Sequence, residues 1–598
     1  MKLYNIKNIF LGSVIALSLT GCNDALEEHP QGTISAEEFL ITTNGYENMV
    51  KAVYEPVRWV TRNKTPYFLG TDMFTSCGRG LDYDVVKPAD PENYSRMYLR
   101  GFNEWYKTSC DANNGDFSSV FVDAYCLIQR ANNAIDYGMR ADISSELRAQ
   151  RIGEVKFLRD LCYYWLVEQF SDVPLLVEAV KSPHFSVERT PEKEIYEFLI
   201  KDLEEAVDGV ASKKAQSDFG RVTKGAIKML LAKLYLTRAY KPYAESGDAE
   251  KAYRLALDII DNEGYELIDY EALFEEGNEI NNEIIFSVQY STNEQLNWGG
   301  NNDYAVFQPF LYSIPGFGSK AEYVERYTGS YAPTDAAYLL YDRSWDKRFD
   351  ATFQREYFAN ENKSSDEGAF GKIKIGQKMF HFVFPGETPM TREEKDECDY
   401  FVVNFGEYRD HALVGGKKDD NGDYRVNGYA FDANGDPMKA QYWVYPGIRK
   451  FRDSKARYND GSEKGTRDHF LFRLGEVYLI AAEASWKGNV GDGARYLQLL
   501  RNRAAYSGAA PSLELTLDNI LDERARELMG EERRFLELRR TGMIRERVIT
   551  RRMNERAARA HDVDPDMAFK DEYTTRPLPY NWTQYLQTAV EQNPGYDF

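Results

Sequence analysis

Apolar positions recur at helical spacing through the first 262 residues. Ser35 and Glu38 form a capping box that predicts an amphipathic helix running to about Arg62. Later apolar residues fall at i, i+3, i+4 and i+7, as in Ile227, Leu230, Leu231 and Leu234. The pattern predicts further helices at 118–139, 145–170, 191–209, 223–241 and 248–262, with Pro191 at the first helical position of the third.

Small residues among the larger apolar ones predict close packing between consecutive helices. Ala226, Ala232 and Ala239 are examples. Helical hairpins of the tetratricopeptide type carry such positions, but their 34-residue period is not clean here. We therefore predict a mainly α fold with degenerate, tetratricopeptide-like helix pairs.

The pattern changes between about 263 and 465. Short β-like runs such as 284–288 alternate with stretches rich in Gly, Asn, Asp and aromatic residues. Asn-Gly-Asp triplets at 421–423 and 434–436 predict β-hairpin turns. Asp432, Asn434 and Asp436 alternate as calcium ligands do, but the sixth-position glycine and the terminal glutamate of an EF-hand are missing. Turns are the favoured interpretation, and calcium is the alternative.

Helical periodicity returns from about 468, with a further pair of helices at 491–507 and 516–529. Arginines crowd the segment 495–559, where acidic residues alternate with them. This mixture predicts a salt-bridged, solvated helix face rather than a polyanion site. Trp165 and Trp486 lie inside predicted helices and are assigned to the core.

The N-terminus has the features of a bacterial lipoprotein signal. Lys2 and Lys7 precede an apolar run at 9–19, which is too short to span a bilayer. Small residues then lead to Cys22, the predicted lipidation site; an ordinary secretory signal with a chance cysteine is the alternative. The acidic stretch at 23–28 resembles a surface-export signal, or serves as a plain tether. We predict a chain anchored by lipid in the outer membrane and facing the cell exterior.

Composition narrows the function. Acidic residues number 95 against 74 Lys and Arg in 598 residues, a formal charge of −21 that argues against nucleic acid as a partner. The same charge disfavours a strongly anionic ligand unless a local basic pocket overrides it. The sequence holds no H-E-x-x-H, G-x-S-x-G or phosphate-loop motif, and no metal or cofactor is predicted. The expectation that the chain is not an enzyme comes mainly from the family resemblance described next, which is to a non-catalytic binder.

Several motifs occur in an order that resembles the SusD/RagB family of surface nutrient-binding lipoproteins. They are residues 26–30, 333–349, 472–484, 500–504, 520–524, 527–534, 539–542, 576–579 and 592–596. The chain departs from the family pattern mainly at 353–445, which looks like a hairpin-bearing insertion. We expect the shared arginines and glutamates to pair between helices rather than to contact ligand.

The resemblance implies four tetratricopeptide-like helix pairs, with an irregular region above them that carries the ligand site. It implies a partner, a SusC-like TonB-dependent transporter, and a ligand that is an oligosaccharide or, in some relatives, a peptide. A structural lid with negligible affinity of its own is the third hypothesis. The expected division is signal peptide 1–21, tether 22–34, N-terminal helical region 35–270, irregular region 271–465 and C-terminal region 466–598.

A sugar binder needs an aromatic platform flanked by polar groups. Three irregular stretches offer this mixture, and they supply seven candidates: Trp298, Asn301, Tyr304, Phe317, Trp105, Asp72 and Arg79. Trp298 is the preferred one, because the surrounding glycines and asparagines predict an exposed loop. The alternative is that this tryptophan covers a small hydrophobic cluster. For Trp105 the alternative is packing at the start of a helix, and for Asp72 and Arg79 it is an ion pair that fixes the loop.

Overall fold

A computed structural model describes residues 35–76, 105, 111–182, 186–309, 311, 316–317, 330–364, 372–407, 425–426, 429–430, 445–459, 462–563, 569–587 and 589–596. Cys22, Arg79 and both Asn-Gly-Asp triplets, with the calcium alternative at Asp432 to Asp436, lie outside these ranges. The predictions on them stay predictions.

The first amphipathic stretch forms four short helices: α1 (Ala36–Leu40), α2 (Thr43–Tyr54), α3 (Val57–Arg62) and α4 (Thr65–Phe68). The capping box is confirmed, since Ser35 Oγ accepts from Glu38 N at 3.2 Å and the Glu38 carboxylate accepts from Ser35 N at 3.0 Å. The single predicted helix is divided, and Pro56 is the N-cap of α3. A proline lacks the N–H that a continuous helix needs.

The next five helices follow the predicted pattern closely: α5 (Gly115–Arg140), α6 (Ser145–Phe170), α7 (Glu192–Ala206), α8 (Lys224–Arg238) and α9 (Asp248–Asn262). Ser144 caps α6, its Oγ accepting from Leu147 N at 3.2 Å. Gly247 precedes α9 with φ +91°, a conformation that favours glycine. Pro191 is the N-cap of α7 rather than its first helical residue.

These helices pack in sequence as tetratricopeptide-like pairs. Helix α5 packs on α6, α6 on α7, and α8 on α9. Of the small residues named from the sequence, Ala226 and Ala232 are completely buried, whereas Ala239 is half-buried. The mainly α scaffold of helix pairs is therefore confirmed.

The middle region consists of short helices joined by small sheets. The helices are α10 (Tyr270–Leu273), α11 (Asp303–Val306), α12 (Asp335–Leu339), α13 (Arg348–Thr352) and α14 (Arg392–Asp396). The strands are β1 (Phe74–Ser76), β2 (Ile284–Val288), β3 (Tyr331–Pro333), β4 (Glu356–Phe358), β5 (Lys378–Phe382), β6 (Phe401–Val403), β7 (Arg425–Val426), β8 (Tyr429–Ala430), β9 (Arg457–Asn459), β10 (Ser462–Lys464) and β11 (His469–Arg473).

Most strand pairs are antiparallel: β1 with β3, β2 with β11, β4 with β5, β7 with β8, and β9 with β10. The pairing of β5 with β6 is parallel and extends β4–β5 to three strands. This three-stranded sheet lies in the 353–445 segment.

The C-terminal helices are α15 (Leu474–Gly488), α16 (Gly493–Ala504), α17 (Leu517–Glu527), α18 (Arg534–Arg540), α19 (Glu555–Val563) and α20 (Tyr580–Thr583). Helix α15 packs on α9, α16 and α17, so the C-terminal helices continue the N-terminal array. The prediction that helix resumes at about 468 is wrong, because strand β11 comes first and the helix begins at Leu474. Residues His469–Arg473 pair with β2 instead, a partner that local periodicity does not reveal.

The arginine-rich segment forms ion pairs as predicted; many of these pairs are buried, whereas those of Arg545, Arg551 and Arg552 are exposed. Glu527 lies between three guanidiniums: its carboxylate is 2.9 Å from Arg348 and 2.6 Å from Arg473, and it also contacts Arg503. Glu523 has no exposed surface either and pairs with Arg348 and Arg501. The expectation that arginines and glutamates pair between helices is confirmed, whereas that of a solvated face holds only for the exposed pairs at 545–552.

No helix within the described ranges has both the length and the apolar composition to cross a bilayer.

Candidate ligand-binding site

A cavity of about 560 Å³ opens between α3, α5 and the loop 297–302. Clefts of this size commonly hold small ligands. Its lining combines aromatic and polar residues, among them Trp59, Trp298, Tyr331, Arg58, Arg62, Asn63, Ser119, Asp123 and Asn302.

Two tryptophans form the aromatic part of this cavity. The ring centroids of Trp59 and Trp298 are 4.6 Å apart with the planes tilted by 33°. The residues are 39% and 63% exposed. Val57 and Val60 point into the core, and Trp59 projects from the opposite side of α3. The pair therefore presents open aromatic surface at the cavity.

The Trp59 ring is held by a carboxylate from its own segment. Its Nε1 donates to Glu55 Oε1 at 2.7 Å, and Glu55 Oε2 accepts from Arg130 Nη1 of α5 at 2.8 Å. The indole N–H is thus already satisfied, and the ring offers its apolar surface rather than a donor.

The Trp298 loop is tied down at both ends. Asn297 Nδ2 donates to the Gly465 carbonyl at 3.0 Å, and Asn301 exchanges backbone hydrogen bonds with Gly465 at 3.0 and 2.7 Å. Arg62 donates to the carbonyl of Gly299. The loop backbone is therefore fixed by these contacts, and the Trp298 side chain stays exposed.

Gly300 is required by both its conformation and its surroundings. Its φ is +48°, and a Cβ there would lie 2.3 Å from Lys464 Cα. We expect Gly300→Ala to lower the free energy of unfolding by more than about 1 kcal/mol and to displace Trp298. Gly277→Ala is the matched control, since Gly277 has φ +92° but no atom within 4 Å of the added Cβ. Denaturant unfolding should show a larger loss for Gly300→Ala, and equal losses would contradict the proposed clash.

Helix α5 supplies a polar wall. Ser119 Oγ donates to Asp123 Oδ2 at 3.3 Å, one helical turn away. Partial burial raises the pKa of Asp123 above its ordinary value, and the Ser119 hydrogen bond opposes this shift. The Asp123 carboxylate is a candidate acceptor for ligand hydroxyls.

Two of the predicted site residues lie behind the cavity rather than in its wall. Asn301 and Tyr304 are buried, at 7% and 6% exposure. Asn301 Nδ2 donates to Arg467 O at 2.9 Å. Asp303, between them in sequence, contacts Lys64 and His469, each at 2.6 Å. Burial acts to raise the pKa of Asp303, but the charge of Lys64 and the hydrogen bonds from Lys64 and His469 outweigh it and hold that pKa well below its usual range.

The other candidates are not brought to this cavity. Phe317 is buried and stacks on Phe380 at 5.8 Å. Trp105 is 1% exposed, donates from Nε1 to Gly70 O at 3.1 Å, and packs beside the Arg576 guanidinium. Asp72 has no exposed surface and pairs with two arginines. All three residues are enclosed by protein, as the packing alternative for Trp105 and the ion-pair alternative for Asp72 predict.

Sequence reasoning missed Trp59, which was included in a predicted helix face. The helical phase of the sequence partly indicates that Trp59 is exposed. Val57, Val60 and Thr61 are buried, and Trp59 falls out of phase with them on a helix. Its partnership with Trp298 could not be predicted, since it depends on contacts such as that of Arg62 with Gly299, 237 positions away.

One acidic cluster within the described residues has metal-like spacing. Oxygens of Glu476, Glu532 and Glu537 lie within 4.8 Å of one another. Arg524 contacts all three and Lys233 contacts two of them. These carboxylates are therefore neutralised by protein cations, which leaves the cluster poorly suited to a metal ion.

With this geometry in view, the comparisons with known proteins identify the family. A model described as the SusD family matches residues 282–596, more than half of the chain. This chain belongs to the SusD family. A second model, described as starch-binding and associating with the outer membrane, matches residues 89–236.

Relatives of the SusD family match nearly the whole chain. SusD-like protein P25 of Formosa agariphila is 25% identical over 560 residues, covering 90% of each chain. SusD-like protein P2 of the same organism is 26% identical over 549 residues, covering 90% of this chain and 88% of its own.

Solved structures share the fold. A laminarin-binding SusD-like protein superposes with a TM-score of 0.62 at 20% identity, covering 93% of this chain and 100% of its own. Surface glycan-binding protein A of Bacteroides thetaiotaomicron, in complex with laminarihexaose, gives 0.64 at 19% identity, covering 92% and 99%. At these identities the similarity establishes the SusD-like architecture.

Proposed function

We propose that this chain is a cell-surface lipoprotein that binds an oligosaccharide at the Trp59–Trp298 cavity and delivers it to a SusC-like TonB-dependent transporter. The observation that carries the proposal is the exposed tryptophan pair, held open by the Glu55 and Arg62 contacts. Sugar rings have apolar C–H faces that pack on aromatic rings and hydroxyls that need polar partners. Asp123, Ser119 and Asn63 line the same cavity and supply such partners.

The role in uptake rests on three further supports. The chain belongs to the SusD family, and one matching family model is described as associating with the outer membrane. Lipid on Cys22 is proposed to hold the folded body at that membrane, since each buried CH₂ of an acyl chain contributes about 0.8 kcal/mol. Two structural neighbours are described as binding laminarin or laminarihexaose, which makes β-glucan oligosaccharides the first probes to use. The proposed binding is reversible and involves no bond cleavage.

Removing either tryptophan of the cavity should abolish most of the affinity. We expect Trp298→Ala and Trp59→Ala each to weaken glycan binding at least tenfold, or about 1.4 kcal/mol, because the apolar stacking surface is lost. The measurement is isothermal titration of the chain beginning after Cys22 against laminari-oligosaccharides and a broader oligosaccharide pool.

Trp486→Ala is the matched control, because Trp486 is 37% exposed on α15 and does not line this cavity. That exposure also corrects its assignment to the core. Equal losses in all three variants would indicate a general effect on folding. Glycan binding that survives both cavity substitutions would place the site elsewhere, and failure of every glycan to bind would contradict the proposed function. Co-purification of a TonB-dependent barrel with the tagged lipoprotein tests the delivery step.

A further inference from the structure

The Trp59–Trp298 cavity contains two arginines that are not neutralised by protein carboxylates. Arg58 donates from Nε to Gln289 O and from Nη1 to Leu296 O, both at 2.8 Å. Arg62 donates from Nη1 to Gly299 O. All three acceptors are neutral backbone carbonyls. In the part of the chain that the structure describes, neither guanidinium forms a salt bridge with a carboxylate.

This pattern contrasts with the buried arginines of the same chain. Arg348, Arg473 and Arg540 each contact two or more carboxylates. A guanidinium carries five N–H donors. Arg58 uses two of these donors and Arg62 uses one in hydrogen bonds to the protein, and both residues are half-buried at the cavity wall. Donor capacity and positive charge therefore remain at a surface that the overall charge of −21 would not predict.

Within the described residues, the other ionisable groups near the cavity form no salt bridge with these two arginines. Asp468 interacts with Arg58 through charge alone and accepts from Tyr290 N at 3.0 Å. Lys64 is paired with Asp303, and Arg130 with Glu55. Among the lining residues that the structure describes, Asp123 is the one carboxylate, and it lies on α5 rather than on the arginine-bearing helix. In the described part of the cavity, two arginines without a salt bridge thus face one partly buried carboxylate across the tryptophan pair.

We infer that the cavity prefers an acidic oligosaccharide, one whose carboxylate or sulfate ester is held by Arg58 and Arg62 while a sugar ring packs on the tryptophan pair. This inference rests on the proposed function and narrows its ligand class. Guanidinium groups bind carboxylate and sulfate oxygens through charge-assisted, often bidentate hydrogen bonds. A neutral sugar would gain the stacking but not these charged contacts.

The test uses oligosaccharides in matched forms. An array carries uronate oligosaccharides with free acids and as methyl esters, and sulfated oligosaccharides before and after desulfation. We expect the folded chain to bind at least one acidic form at least tenfold more tightly than its neutral counterpart, and to lose this preference as NaCl rises from about 50 to about 500 mM. The uronate and sulfate arms distinguish the two sources of negative charge.

Variants assign the preference to the arginines. Arg62→Gln keeps an amide donor for Gly299 but removes the charge, so the preference should fall below about threefold, and Arg62→Lys should retain part of it. Arg449→Gln is the control, because Arg449 is an exposed arginine that lines a different cavity. Asp123→Asn should strengthen binding of the acidic forms by removing a like charge. This arm remains informative even if the Arg62 variants fold poorly.

The possible outcomes separate the acidic preference from the proposed glycan binding. Neutral forms that bind as tightly as acidic ones would overturn the inference and leave the proposed glycan binding intact. The inference would also be overturned if folded Arg62→Gln kept the preference for acidic forms and Asp123→Asn left their affinity unchanged. Absence of binding by every form on the array would instead overturn the proposed function itself.

Discussion

Replacing Glu527 with alanine is expected to lower the free energy of unfolding by about 3–5 kcal/mol. This carboxylate is fully buried at the end of α17 and accepts from Arg348 at 2.9 Å and from Arg473 at 2.6 Å. Arg503 contacts it as well. These arginines belong to α13, β11 and α16, so a single side chain joins the middle region to the C-terminal helices. Alanine at this position would leave the three buried guanidiniums without the carboxylate that they share.

The same carboxylate should make stability sensitive to acid. Burial acts to raise the pKa of Glu527, but Arg503, Arg473 and Arg348 outweigh it and hold that pKa well below its usual range. A depressed pKa contributes stability above the unfolded-state value of about 4.3, and that contribution is lost as pH falls towards the folded-state pKa. The difference between the wild-type protein and Glu527→Ala should therefore be full near neutral pH and shrink below about pH 4.

Denaturant unfolding followed by circular dichroism, at pH 7 and at descending pH, measures both effects. Glu250→Ala is the control, because Glu250 forms an exposed pair with Arg254 on the outer face of α9. Such pairs contribute little, so the control should remain within about 0.5 kcal/mol of the wild-type protein. A loss at Glu527 no larger than the control's would show that the buried network does not stabilise the fold.

Local signals were enough to predict much of the helical scaffold. Helix α6 begins after Ser144 and α9 begins after Gly247. For both helices the predicted range, 145–170 and 248–262, coincides with the observed one. Caps and apolar periodicity depend on residues that are close together along the chain, so they can be recognised from the sequence alone. Strand β11 was missed because its structure depends on pairing with β2, nearly 200 positions earlier.

The candidate site shows the same limit more sharply. The glycines around Trp298 correctly indicated an exposed loop. Asn301 and Tyr304 share that polar context, yet they face inwards because Asn301 pairs with Gly465 and Asp303 with His469. Residue type predicts which side chains suit a sugar, whereas long-range contacts decide which of them reach the surface.

Asp72 is the clearest example, and it leads to the second large effect. Sequence context made it a ligand candidate with an ion pair as the alternative, and the structure places it in an ion pair with two arginines. Arg534 donates from Nε at 2.9 Å and from Nη2 at 2.8 Å, and Arg547 donates from Nε at 2.7 Å. Burial acts to raise the pKa of Asp72, while both arginines outweigh it and hold that pKa well below its usual range. This carboxylate links the segment after α4 to the C-terminal helices.

We therefore expect Asp72→Asn to lower the free energy of unfolding by about 3–5 kcal/mol, since two buried guanidiniums lose their shared counter-charge. Glycan affinity of the folded variant should stay within about threefold of wild type, because Asp72 does not line the tryptophan cavity. Asp208→Asn is the control: Asp208 pairs with Lys224 at 3.0 Å but is 92% exposed, so neither quantity should change. Thermal unfolding and titration calorimetry on the same samples separate the two roles. Normal stability with a large loss of affinity would restore Asp72 as a ligand contact and contradict its assignment as a buried structural anion.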